Sequence, residues 1–402
     1  MAGRVAFVLF VILLPTGQSS PSTTISSTVL HTSELSTKIE SMDMYPSTDA
    51  IEINDYDYDG TVTTDTSPES TRWSWTAMTW SWYTVLQLLS VILGMVGNLL
   101  VIVVIFGRRS STRQLSSTDI LVGNLAIADF LTSVFLIPYP PPDLVPMTWA
   151  GWIYCKLFFA NFFMWTFITA SIYFLVALSF DRFFAVLYPI HFKHHFSFKR
   201  VIMAVLSIWC ISPLISSMGF FTNSVDGKSG TCAIKFASSE AKLLLGFFTF
   251  SVRLVIPTCS MLVTQIAVIR ALHREAAIFK STNQQLANSK PSFHIIARDR
   301  TIKLVFTIVV TYIVCWAPDQ VVFLLFNLGI IPLSYFFTPI HRILFIVAFF
   351  NSCANPIIYT LRHPQFRKAV KSFFLGGQAR KSPIFDEVIS RREPTSQHEI
   401  VA

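Results

Sequence analysis

Between residues 80 and 360 the chain alternates long apolar runs with short polar ones. Seven of these runs, at about 80–106, 117–139, 154–183, 200–221, 241–271, 301–327 and 335–360, are near or above the ~20 residues that an α-helix needs to cross a bilayer. After the last run, HPQFRKAVKSFF (363–374) places Phe366, Val370, Phe373 and Phe374 on one helical face and Arg367, Lys368 and Lys371 on the other. That is the pattern of a helix lying in a membrane interface. The pattern predicts an all-α membrane protein: a seven-transmembrane helix bundle over 80–361, an amphipathic eighth helix over 362–375, and disordered termini.

The N-terminal pattern is different. Arg4 precedes ten apolar residues, Val5 to Leu14, followed by Pro and small residues. This run is too short to span and reads as a signal peptide, residues 1–18. Residues 19–79 form a Ser/Thr-rich acidic tail whose ten Asp and Glu stand against Lys38 and Arg72; too little apolar surface is present to offset the entropy of ordering. Within it, Asp55-Tyr56-Asp57-Tyr58-Asp59 has two readings. Tyr56 and Tyr58 are sites for sulfation, or the stretch is simply a solvated acidic segment. Residues 376–402 are polar and carry Ser382, Ser390, Thr395 and Ser396 as candidate phosphoacceptors.

Composition agrees with the pattern. Only 13% of the residues are charged and 52% are hydrophobic, with 37 Phe, whereas soluble domains carry about a quarter charged residues. The net charge of +8 sits in clusters between apolar runs, which fits membrane topology better than nucleic-acid binding. Arg108, Arg109 and Arg113 occupy the first inner loop, Lys193, Lys199 and Arg200 the second, and Arg270 to Arg300 the third. These alternate loops are assigned to the cytoplasm, which leaves the acidic N-terminal tail outside. Of six cysteines, Cys155 and Cys232 both fall on that outer, oxidising side and are expected to form a disulfide. There is no CxxC metal pair, HExxH or P-loop, and no enzymatic activity is expected.

Charges inside a membrane are costly and are usually functional. Asp129, Asp181, Arg182, Arg253, Asp319, His341 and Arg342 all lie within spans. An isolated buried ion is the least favourable case, so Arg253 and Asp319 are expected to pair across neighbouring helices. The seventh span ends in NSCANPIIY (351–359), a cluster of polar residues and a proline that must face other helices.

These landmarks together resemble the rhodopsin-like G-protein-coupled receptors over residues 80–375. The motifs are Gly97-Asn98, NLAIAD (124–129), Cys155, Asp181-Arg182-Phe183, Trp209, Pro257, CWAP (315–318) and Asn355-Pro356-Ile357-Ile358-Tyr359, one set per span. The resemblance implies a heterotrimeric G protein and arrestin as partners, alongside membrane lipids and no nucleic acid. It implies a plasma-membrane protein with an extracellular N-terminus. It also implies an allosteric sodium site, the sole cofactor expected, at Asp129, Ser171, Asn351, Ser352 and Asn355 beneath Trp316. The implied switch comprises Asp181, Arg182, Pro257, Tyr312, Trp316, Pro318, Asn355, Pro356 and Tyr359, with Ile172 beside Pro257 and Tyr312. Tyr359 is expected to move towards Arg182 on activation.

Several departures from the family pattern stand out. The interval from Cys155 to Arg182 is two residues longer than the family's usual spacing. Phe183 and Tyr312 replace the common Tyr and Phe, Arg298 stands where an acid often locks the third and sixth helices, and Gln265 replaces a Tyr. Phe162 or Met164 stands where amine receptors carry Asp, and Phe349 where opsins carry the retinal Lys. The acidic tail, the 315–329 run and the 228–235 loop resemble peptide receptors, neuropeptide receptors especially. The expected ligand residues are Arg253, Trp316, Asp319, Gln320, Phe323, His341 and Phe345. A lipid or small-carboxylate ligand paired to Arg253 is the alternative within the family, and a transporter the alternative outside it.

Overall fold

A computed structural model describes residues 72–107, 115–188, 198–282, 293–375 and 384–385. The expected signal peptide, most of the acidic tail with Tyr56 and Tyr58, and nearly all of 376–402 lie outside the described residues.

Among the described residues, seven helices are long and apolar enough to cross a membrane: α1 (Trp82–Gly107), α2 (Ser117–Phe135), α3 (Trp149–Leu187), α4 (Lys199–Thr222), α5 (Ser239–Arg274), α6 (Ile302–Asn327) and α7 (Pro339–Arg362). A shorter helix, α8 (Pro364–Phe374), follows. Helix α3 runs through the middle, against α2, α4, α5 and α6, while α1 closes the bundle against α2 and α7. The outward faces keep their apolar residues exposed, as on Leu93 and Val96 of α1 and Met203, Leu206 and Leu214 of α4. The buried interior holds Phe174, Leu175, Ile308 and Tyr312 together with polar groups such as Asn98, Asp129, Ser171, Gln265, Asp319 and Asn355. This is the inverse of a soluble fold and follows from lipid as the outer solvent.

Local chemistry corrects three predicted boundaries. Helix α2 ends at Phe135 rather than near 139, because Pro138 and Pro140 to Pro142 remove the donors a helix needs. Helix α3 begins at Trp149, five residues early, where Thr148 caps it by accepting from the Gly151 N–H at 3.4 Å. Helix α7 begins at Pro339 instead of 335. Its cap is the Thr338 hydroxyl, which accepts from the His341 N–H at 3.3 Å, with Pro339 in the first turn.

Small residues set the closest approaches. A Cβ on Gly94 of α1 would stand 2.3 Å from the Ser133 Oγ of α2, and one on Gly97 3.0 Å from Pro356 Cγ of α7. Any larger side chain would push these helices apart.

One end of the bundle is roofed by two small ribbons. Strand β1 (Ser74–Trp75) pairs with β2 (Pro142–Leu144), and β3 (Asn223–Asp226) pairs antiparallel with β4 (Thr231–Ile234). The two ribbons are joined by a Val145 N–H bond to the Gly230 carbonyl at 2.7 Å, at a left-handed turn that glycine accepts without strain (φ 63°). The expected disulfide, Cys155–Cys232, ties β4 to α3. Lys156 adds a bond to the Asn223 carbonyl at 3.1 Å. On the ribbon's surface Lys235 bonds Asp226 at 2.6 Å, and this contact, helped by Ser229, holds the Asp226 carboxyl down to about 2.

Candidate functional site

Prolines place the polar contacts at the centre of the bundle. Pro257 has no N–H, so the carbonyl of Arg253, four residues earlier, loses its helical donor. Helix α5 loosens into a π turn there, Ser251–Val255. The freed Arg253 carbonyl accepts instead from the Tyr312 hydroxyl of α6 at 2.5 Å, and the Val252 carbonyl accepts from Tyr173 of α3 at 3.1 Å. The hydroxyl that distinguishes Tyr312 from Phe therefore has a partner of its own. Pro356 acts in the same way on α7. It releases the Ser352 carbonyl, which accepts from Asn98 Nδ2 of α1 at 3.1 Å.

Asp129 lies fully buried between three helices. Its Oδ1 accepts from Ser171 of α3 at 2.7 Å and from Ser352 of α7 at 2.9 Å, and its Oδ2 accepts from Asn355 of α7 at 2.8 Å. Three of the four residues expected around this carboxylate thus converge on it. Asn351 is equally buried, but its Oδ1, like that of Asn355, has no hydrogen-bond partner among the described residues. Trp316, also buried, packs against Phe349 and Trp165 at 6.2 and 6.3 Å between ring centres.

At the end opposite the disulfide, Arg182 turns back on its own helix, bonding Asp181 at 2.6 Å and the hydroxyl of Thr118. Thr118 in turn donates to Asp181 at 2.9 Å. Tyr359 does not reach this group. Its ring packs against Phe366 and Phe385, and its buried hydroxyl has no partner among the described residues. Pro318 sits in α6 on a lipid-facing position. The side chain of Arg298 lies outside the described residues. Gln265 is 2% exposed, and neither of its amide atoms finds a partner among the described residues.

The expected ligand residues lie on α5, α6 and α7, in the halves of these helices towards the disulfide end. The Arg253–Asp319 contact does not form. The π turn sends the Arg253 guanidinium over the Trp165 ring, 4.6 Å from its centre, and to the Ser216 hydroxyl at 3.4 Å. Asp319 instead accepts from Gln320 at 3.2 Å and faces His341 Nε2 at 3.7 Å. Phe345 bridges His341 and Phe349, at 6.4 and 4.4 Å, and Phe323 is half-buried one turn beyond Asp319. An aromatic wall of Trp165, Trp316, Phe349 and Phe345 thus runs from Arg253 to His341. A separate apolar crevice of about 250 Å³, lined by Phe135, Tyr139, Phe158, Phe163 and Met164 among others, contains none of these residues.

Sequence reasoning missed Thr118, Trp165, Ser216 and above all Asp119. Asp119 lay inside the predicted second span as a full charge and should have been counted. It is completely buried, and its position next to Thr118 puts it at the Arg182 end.

The family model for the 7 transmembrane receptor (rhodopsin family) matches residues 97–359. The chain belongs to this family. Among its relatives, the allatostatin-A receptor of Bombyx mori is 28% identical over 70% of this chain and 76% of its own length. Galanin receptor 2a of Danio rerio is 27% identical over 70% and 75%. Human trace amine-associated receptor 1 is 26% identical over 72% and 86%. The protein is thus a multi-pass membrane protein and a G-protein-coupled receptor, not an enzyme. Helix α3 of this receptor leaves α-helical geometry between Cys155 and Phe162. A π turn spans Cys155–Phe159, and Asn161 follows in the left-handed region (φ 52°), a conformation Asn tolerates better than most residues.

Proposed function

We propose that this receptor binds an extracellular peptide at the Arg253–His341 level and activates heterotrimeric G proteins through the Arg182 end. The observation that carries the ligand assignment is Arg253. Its guanidinium is almost wholly buried, its Nε lacks a hydrogen-bond partner, and it makes no ion pair among the described residues. A buried cation held only by a ring and one hydroxyl has unused affinity for an anion. A carboxylate of a peptide, its C-terminus or an acidic side chain, would supply that charge, with Asp319 and Gln320 binding donors and the aromatic wall binding apolar side chains. The names of two of the relatives, an allatostatin and a galanin receptor, support a peptide, as does the lack of an acid at Phe162 or Met164. A small carboxylate or lipid acid is a second reading favoured by the same guanidinium.

In this reading the disulfide end is extracellular and the Arg182 end cytoplasmic, at the plasma membrane. Asp181 and Thr118 hold Arg182 in a resting state until α6 swings outward, and arrestin would use the same face. Helix α8 lies along the inner leaflet. The buried, unpartnered Oδ1 atoms of Asn351 and Asn355 beside Asp129 suit a small hard cation. Asp129, Ser171, Asn351, Ser352 and Asn355 would hold sodium there, and its charge would favour the resting packing.

The test is nucleotide exchange on co-expressed G proteins, driven by a peptide library, with Arg182→Ala as control. A peptide that raises exchange in the wild type but not in the control supports the reading. A response to carboxylate lipids alone selects the second reading, and a response surviving Arg182→Ala sinks both.

A further inference from the structure

A short piece of the C-terminal tail is packed into the bundle. Ile384 and Phe385 are each 1% exposed, and both belong to the same apolar core as α2 and α7. Their backbone N–H groups point at one carboxylate. Ile384 donates to both oxygens of Asp119 at 3.2 Å, and Phe385 donates to Asp119 Oδ1 at 3.0 Å. The Phe385 ring lies among His363, Tyr359 and Phe366, at 4.8, 5.2 and 5.9 Å between centres. Two successive N–H donors on a buried carboxylate are charge-assisted bonds of the stronger kind, and three aromatic neighbours add a shaped apolar slot.

We propose that the groove formed by Asp119, Tyr359, His363 and Phe366 is a docking site for this chain's own Ile384–Phe385, and that its occupancy holds the Arg182 end at rest. The occupant is set by the structure itself. Only residues 375–383 separate Ile384 from the end of α8, so docking is intramolecular and needs no free ligand concentration. The inhibitory half rests on the receptor reading above. Two contacts carry it. Phe385 packs directly on Tyr359, so Tyr359 cannot turn inward without losing that partner. Asp119 is adjacent to Thr118, whose hydroxyl bonds both Asp181 and Arg182, so the tail bears on the same turn of α2 that restrains Arg182. A partner entering this end must displace Ile384–Phe385 or accommodate them. Tail removal is therefore a step in activation with a binding free energy of its own.

Docking and restraint are read separately. In the full-length chain in nanodiscs, benzoylphenylalanine replacing Phe385 should photo-crosslink to the 359–366 segment, and Asp119→Ala should reduce that product sharply. Absence of the crosslink, or its insensitivity to Asp119→Ala when the protein is folded by thermal melt, overturns the docking site. For the restraint, Ile384→Ser with Phe385→Ser, changes confined to the tail, should raise basal nucleotide exchange about fivefold or more, the lower range for coupled sites. Arg182→Ala in that background should abolish the rise. Unchanged basal exchange in a receptor that still responds to stimulation overturns the restraint. If no variant supports exchange with any G protein while the crosslink persists, the receptor reading fails and takes the restraint with it, whereas the docking site stands.

Discussion

The hydroxyl of Tyr312 bonds the main-chain carbonyl of Arg253 across the α5–α6 contact, at 2.5 Å, because Pro257 has removed that carbonyl's own helical donor. Phenylalanine there would leave a buried acceptor unmet, which costs about 1–3 kcal/mol. Tyr312→Phe should therefore lower the melting temperature of the purified receptor. Adding Pro257→Ala, which restores an N–H to the Arg253 carbonyl, should recover most of the loss. Additive losses in the double variant would show that the hydroxyl acts elsewhere.

Asp129 provides a second test that needs no agonist. If Asn351 and Asn355 share a sodium ion with it, exchanging sodium for choline at constant ionic strength should lower the wild-type melting temperature. Asp129→Ala and Asn355→Ala should each remove that dependence. A wild-type melt that ignores the cation would leave the carboxylate as a hydrogen-bond hub only.

Packing between α1 and α2 predicts a rescue. Gly94→Ala would set a methyl 2.3 Å from the Ser133 oxygen, an overpacking of the kind that costs about 1–3 kcal/mol. Gly94→Ala with Ser133→Ala should be more stable than Gly94→Ala alone, by melting in the same nanodiscs.

Arg253 should separate function from stability. Replacing a buried cation by an isosteric apolar chain is often neutral or stabilising. Arg253→Met is therefore expected to melt at or above the wild-type temperature while weakening the response to a screened peptide at least about tenfold, or ~1.4 kcal/mol. A large fall in melting temperature would mean that the guanidinium mainly serves the contact with Trp165.

The disulfide closes a loop of 77 residues, and chain entropy sets an upper bound of about 4.5 kcal/mol on its contribution. Reduction, or Cys232→Ser, should lower the melting temperature and increase hydrogen exchange in the β3–β4 ribbon, with little change at Asp129.

Much of this was legible because lipid makes the sequence pattern strict. The seven spans, the Cys155–Cys232 bond and the gathering of Ser171, Ser352 and Asn355 on Asp129 follow from runs, compartments and motifs that each leave a local mark. Three features left no such mark. The direction of the Arg253 side chain depends on a π turn, which shifts the helical phase by an amount that periodicity does not encode. The start of α3 depended on one threonine cap in a proline-rich loop. The Asp119–Ile384 contact joins two positions separated by 265 residues, and nothing in a polar tail distinguishes one Ile-Phe pair as destined for burial. Asp119 itself was legible as a charge inside a span.

The irregular start of α3 has a consequence for how such a chain can diverge. The π turn and Asn161 confine the irregular geometry to residues before Phe162, so Phe162–Leu187, with Ser171, Asp181 and Arg182, runs as one unbroken α-helix. Length change at the mouth is mechanically insulated from the opposite end. A lineage is then free to rebuild the rim that meets a ligand without renegotiating the gears that transmit its arrival.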